Sequence, residues 1–164
     1  MGWSAAGLVI VGRSTDQLRE TMSDRFAETG PISGYQPEFG PSSFAVGQAD
    51  NVVALWDPIG KLAFGPRGED LRRALSKGTK LVAFQMSSAE GKYGLRVYED
   101  GESVRLIEIE GGQAVRETGP VLAAEAALPR RAGMDEDWIF AVLHGLTGVA
   151  FEALGAAPYE ILEV

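Results

Sequence analysis

Cysteine is absent from this chain of 164 residues, which excludes disulfides, thiolate metal sites, iron–sulfur ligation and a cysteine nucleophile. Histidine occurs once, at His144, so a catalytic triad or multi-histidine metal site would rest on a single residue within an almost wholly apolar stretch. The expected role of His144 is a packed imidazole with one local hydrogen bond. Basic side chains are in deficit, 15 against 23 acidic ones, and the net charge of −8 opposes binding to nucleic acid phosphates or anionic lipid. The longest apolar runs, such as WIFAVL, are far shorter than the roughly 20 residues that span a bilayer. The apolar run AAGLVIVG has neither the basic flank nor the cleavage context of an export signal. The expectations are therefore no nucleic acid partner, no membrane and a cytoplasmic location.

With 45% hydrophobic and 23% charged residues, the chain has globular composition, and its length suits one domain over residues 1–164. GLVIVG is a β-branched run of the kind covered on both faces of a sheet. Ser14 and Gln17 form a capping box, and Leu18, Met22 and Phe26 recur at helical spacing, so a helix is expected to run on to about Gly30 and Pro31. ETGPISGYQPEFGPSS, dense in glycine and proline, reads as a long ordered loop. Ser43–Gly47 and Asn51–Trp56 read as a hairpin whose second strand is deeply buried, and EDLRRALSKG as a short helix matched to its own dipole.

Lys80–Glu117 reads as four strands joined by tight turns. Asp100–Gly101 suits a type I′ turn, and the simplest register pairs Val97 with Val104 and Leu95 with Leu106. Residues 121–133 read as a connection with a brief helical turn. Asp135, Glu136 and Asp137 open a helix whose run Trp138–Leu143, with Leu146, leaves almost no polar face, placing it in the core or at a subunit contact. Tyr159–Val164 is a last strand, expected at a sheet edge. The fold class is α+β: a mostly antiparallel sheet with a central four-strand meander, helices packed mainly on one face, and a parallel neighbour for the first strand as an option.

No catalytic grouping emerges. VGRSTDQL lacks the lysine and spacing of a phosphate loop, so Ser14 is read as a cap; the acids at 135–137 answer to the helix dipole; no metal or cofactor is expected. The simple register sets Arg96 opposite Arg105, a like-charge pair that wants an intrachain carboxylate or an anionic ligand. Arg96, Arg105, Tyr93, Tyr35 and Phe39 are the candidate binding residues. The expected function is a non-enzymatic protein-interaction domain of bacterial type, acting through self-association or another chain, for example as an inhibitor or immunity-like protein of a basic effector. The alternative is a small-molecule-binding protein or hydrolase with a pocket between the 30–42 loop and the sheet.

Overall fold

The computed structural model describes residues 4–22, 27–33, 43–57 and 59–163. The chain runs β1 (Ser4–Val11), α1 (Thr15–Met22), β2 (Ala27–Ser33), β3 (Ser43–Ala49), β4 (Val52–Trp56), α2 (Glu69–Leu75), β5 (Lys80–Ser87), β6 (Lys92–Glu99), β7 (Glu102–Glu110) and β8 (Gln113–Thr118). α3 (Ala123–Ala126), α4 (Glu136–Thr147), α5 (Phe151–Ala156) and β9 (Pro158–Glu163) complete it. The strands form one nine-stranded sheet in the order β2-β9-β3-β4-β1-β5-β6-β7-β8. The expected α+β class with an antiparallel sheet is what the chain adopts, and the meander β5–β8 makes up one end of that sheet.

β1 lies antiparallel to both β4 and β5, so the parallel neighbour does not form. Its residues alternate between two cores, as a strand covered on both faces must. Val9 joins Trp56, Phe84, Ile139, Val142 and Leu143 under α4 and α5, whereas Leu8 and Ile10 join Leu18, Leu71 and Tyr98 under α1 and α2. Most of the helix, α3 to α5, covers the first face. α1 begins at the expected box, with Ser14 N–H donating to Gln17 Oε1 at 2.9 Å and Gln17 N–H to Ser14 Oγ at 3.3 Å.

That helix stops at Met22, not at Gly30–Pro31, and Phe26 lies outside the described residues. The first part of the expected loop is instead the edge strand β2, paired with β9 across a bulge between Glu28 and Gly30. Pro31, which has no N–H to give, is tolerated because β2, among the described residues, has a neighbouring strand on one side only. β9 is accordingly not at the edge: it sits between β2 and β3.

Asp100 and Gly101 take positive φ, 48° and 82°, as the hairpin turn requires. The ladder then departs from the simple register. Glu99 pairs with Glu102 and Tyr98 with Ser103, but Val97 pairs with Arg105 and Leu95 with Ile107. Val104 is the extra residue of a β-bulge, and from there each residue of β7 faces a partner one place later on β6 than expected. Arg96 is opposite Leu106 and never meets Arg105. The two arginines lie on opposite faces of the sheet, each with its own set of partners.

α4 starts where its acids predict, with Asp135 accepting from Trp138 N–H at 3.2 Å, and ends at Gly148 with φ 76°. His144 is exposed, contrary to the packed imidazole expected of it. Ile139, Val142 and Leu143 occupy the inward arc, and position 144 falls on the outer one.

Candidate functional site

Of the residues singled out in the sequence, Arg105 is enclosed. Its side chain is 2% exposed, and Glu125, at 1%, meets it with both oxygens, Nε to Oε2 at 2.8 Å and Nη2 to Oε1 at 2.6 Å. Glu117 accepts from the same Nη2, and the Thr118 and Gly119 carbonyls take Nη1. Glu125 also caps Leu122 N–H at 3.0 Å. The bulge at Val104 is what turns Arg105 toward α3. With its donors spent inside the fold, this guanidinium fastens α3 to β7 and β8.

Arg130 closes the group from outside, donating to Glu117 at 2.9 Å. Hydrogen bonds from Arg130 first and then Arg105 pull the Glu117 carboxyl down to about 2. A carboxylate with a depressed folded-state value stabilises the fold above its unfolded value, and that contribution disappears as pH falls through the folded value. Urea denaturation midpoints are therefore expected to drop between about pH 4.5 and pH 2. In Glu117→Gln the drop over that interval should be smaller; an unchanged pH profile would contradict this assignment.

Tyr93 lies on the α4 face of β6. Burial raises its hydroxyl, and the charges of Glu136 and Asp135 raise it further. Tyr35 and Phe39 lie outside the described residues, as does the loop segment 34–42 that the alternative pocket would need.

Arg96 is presented differently, and the arrangement begins in the loop after β4. Asp57 is fully buried, and its Oδ2 accepts from Leu62 N–H at 2.6 Å and Ala63 N–H at 2.9 Å, holding the chain at 62–63 against it. Arg72 on α2, also fully buried, takes the carbonyls of Leu62 and Gly65 with Nη1 and the Tyr98 hydroxyl with Nε at 2.9 Å. Tyr98 in turn donates to Glu69 Oε2 at 2.7 Å. Burial pushes Glu69 up, but the bonds from Tyr98, Arg72 and Arg73 outweigh it and hold the carboxyl below its ordinary value.

The loop so fixed lays Phe64 across β6 at Gly94. A Cβ on Gly94 would come within 2.7 Å of the Phe64 ring, so only glycine lets the ring lie there. Arg96, two residues on and on the same face, stacks its guanidinium over that ring with Cζ 4.9 Å from the centroid. Next to them the sheet carries a shallow depression of about 140 Å³, lined by Phe64, Gly94, Glu108 and Val115 among others, and by the strand at Tyr93. Tyr93 thus reaches this depression from the opposite side of the strand, whereas Arg96 packs against two of its lining residues, Phe64 and Glu108, without lining it, and Arg105 is not part of it.

The chain matches no protein-family model, no curated protein and no solved structure. Among the described residues, no helix is long and apolar enough to cross a membrane, and no group of three or more His, Asp or Glu side chains is placed to hold a metal ion. Asp57, Phe64, Arg72 and Glu125 were not foreseen as parts of these arrangements. The one available signal was Gly94, an isolated glycine inside a strand pattern, which marks close approach by something else.

Proposed function

We propose that this chain is a non-enzymatic interaction domain that works by binding protein through the outer face of α3, α4 and α5. The observation that carries this reading is how little charge that face bears. The exposed positions of α3 are all alanine, those of α4 beyond its first turn are Ala141, His144 and Gly145, and those of α5 are Ala153, Ala156 and a single charged residue, Glu152. Val121 beside them is 56% exposed. Outer arcs of surface helices ordinarily carry charged side chains, and charge depletion marks the centre of protein contacts.

The three helices are in contact with one another. α3 rests on α4 where a Cβ on Gly145 would come 2.8 Å from Ala124 Cβ, and α4 meets α5 through the stacked rings of Phe140 and Phe151, 4.2 Å apart. For a chain of net charge −8, this face is also the approach with least repulsion between two copies. The inhibitor or immunity-like form of the reading, with a basic partner in the cytoplasm, rests on that net charge alone.

The test is the mass of the full-length protein in solution by analytical ultracentrifugation, together with capture of partners from cells that express it. Ala141→Glu and Ala126→Glu, both at exposed helix positions, should leave the circular dichroism unchanged and abolish self-association or partner capture. A monomer that captures nothing, or an association indifferent to both substitutions, would overturn the proposal.

A further inference from the structure

We propose that the cavity between α1 and α2 binds a free short-chain monocarboxylate of about the size of propionate, with the Arg13 guanidinium as its anchor. The inference goes beyond protein contact and lies on the other face of the sheet from α3–α5. The cavity holds about 90 Å³ and forms where the end of β1 meets the two helices. Its floor is apolar, made by Ile10, Leu18 and Leu75, all buried. Its rim is polar: Arg13 is half-buried, and Gln17 and Thr21, one helical turn apart on α1, are exposed beside Ala74 of α2. Among the described residues that line it, Arg13 alone is charged, and no carboxylate is present to compete for it.

The donors on this rim are unspent. Arg13 Nη2 donates to the Lys77 carbonyl just past the end of α2, while Nε and Nη1 have no partner among the described residues and stay open to solvent. A guanidinium tied down at one nitrogen has lost much of its rotamer freedom, so the rest of its fork is offered at little further ordering cost. Gln17 Oε1 accepts from Ser14 N–H at 2.9 Å, which fixes the amide and leaves the Nε2 hydrogens free. Donors without a neighbouring carboxylate suit an oxyanion, and the planar guanidinium matches a carboxylate. The net charge of −8 disfavours a dianion such as phosphate. With the carboxylate held at the rim, the hydrocarbon end points to the floor, where Ile10, Leu18 and Leu75 give it an apolar surface. The volume equals that of about three water molecules in the liquid, which an acid like propionate fills and a longer acyl chain overfills.

Proton–nitrogen NMR spectra of the full-length protein, titrated at constant pH and ionic strength with propionate, propionamide, hexanoate and inorganic phosphate, test each part of this. The expected result is saturable shifts of the Arg13, Gln17, Ala74 and Leu75 amides with propionate, none with propionamide or phosphate, and weaker binding of hexanoate. Arg13→Gln should weaken propionate binding by about tenfold or more while the spectrum stays dispersed. Ala74→Met, at an exposed position on the rim, should block the cavity without touching the arginine. Absence of saturable shifts with propionate, equal binding of propionamide or phosphate, hexanoate bound as tightly as propionate, or unaltered affinity in a folded Arg13→Gln or Ala74→Met would overturn the proposal.

Discussion

Replacing Arg105 with methionine is expected to destabilise the fold by about 3–5 kcal/mol, because it leaves the Glu125 carboxylate buried without its bidentate partner. Glu125 keeps only the capping bond from Leu122 N–H and the 3.3 Å contact with Arg130. The double change Arg105→Met with Glu125→Leu should recover most of the loss, since a buried ion pair returns little more than its own desolvation cost. Urea unfolding followed by tryptophan fluorescence measures both. A single substitution costing under ~1 kcal/mol, or a double mutant as unstable as the single, would show that the pair does not hold α3 to the sheet.

Arg72→Met is expected to be comparably damaging, about 3–5 kcal/mol, for a different reason. The side chain is fully buried, so the Leu62 and Gly65 carbonyls and the Tyr98 hydroxyl would lose a donor that nothing replaces. The loop 59–68 should loosen with it. Amide exchange at Leu62 and Ala63, protected in the parent by Asp57, should accelerate, and the ring-current shift of Phe64 on Gly94 should collapse toward its unfolded value. Arg73, one residue along the same helix, is the control: its side chain is 40% exposed, its salt bridges to Glu69 and Glu102 lie at the surface, and Arg73→Met should leave the unfolding midpoint almost unchanged. Equal effects at 72 and 73 would contradict the buried role.

These two arginines also show where reading the sequence stops. Features decided by neighbours in the chain were legible. The Ser14–Gln17 box, the Asp100–Gly101 turn and the Asp135 cap all appear as their local chemistry requires. Features decided by partners far along the chain were not. Gly30 and Pro31 have the composition of a loop, and they are strand because β9 lies alongside them. Alternation along β7 suggests an unbroken ladder, and the bulge at Val104 comes together with the pairing of Arg105 and Glu125, a residue from a stretch read only as a connection.

The candidate site divides the same way. Arg96 was visible as a cation on a strand, but what makes it distinctive is Phe64, which reaches it only because Asp57 and Arg72 fold the intervening loop. Neither buried charge differs in the sequence from an ordinary surface residue. The lone histidine misleads for a related reason, since an apolar stretch signals a buried inner arc without saying on which arc position 144 falls.

The place of β9 in the sheet also orders the making of the molecule. Among the described residues β2 touches the rest of the sheet only through β9, a strand that leaves the ribosome after the other described strands. Until it arrives, the early strand β2 has no pairing partner and β3 has one open side. The sheet thus closes at one end by insertion, and that step must bring together segments far apart in the sequence, the kind of distant pairing that slows folding. During synthesis the meander half can assemble from neighbouring hairpins while the other half waits, its edges open to whatever else is in reach.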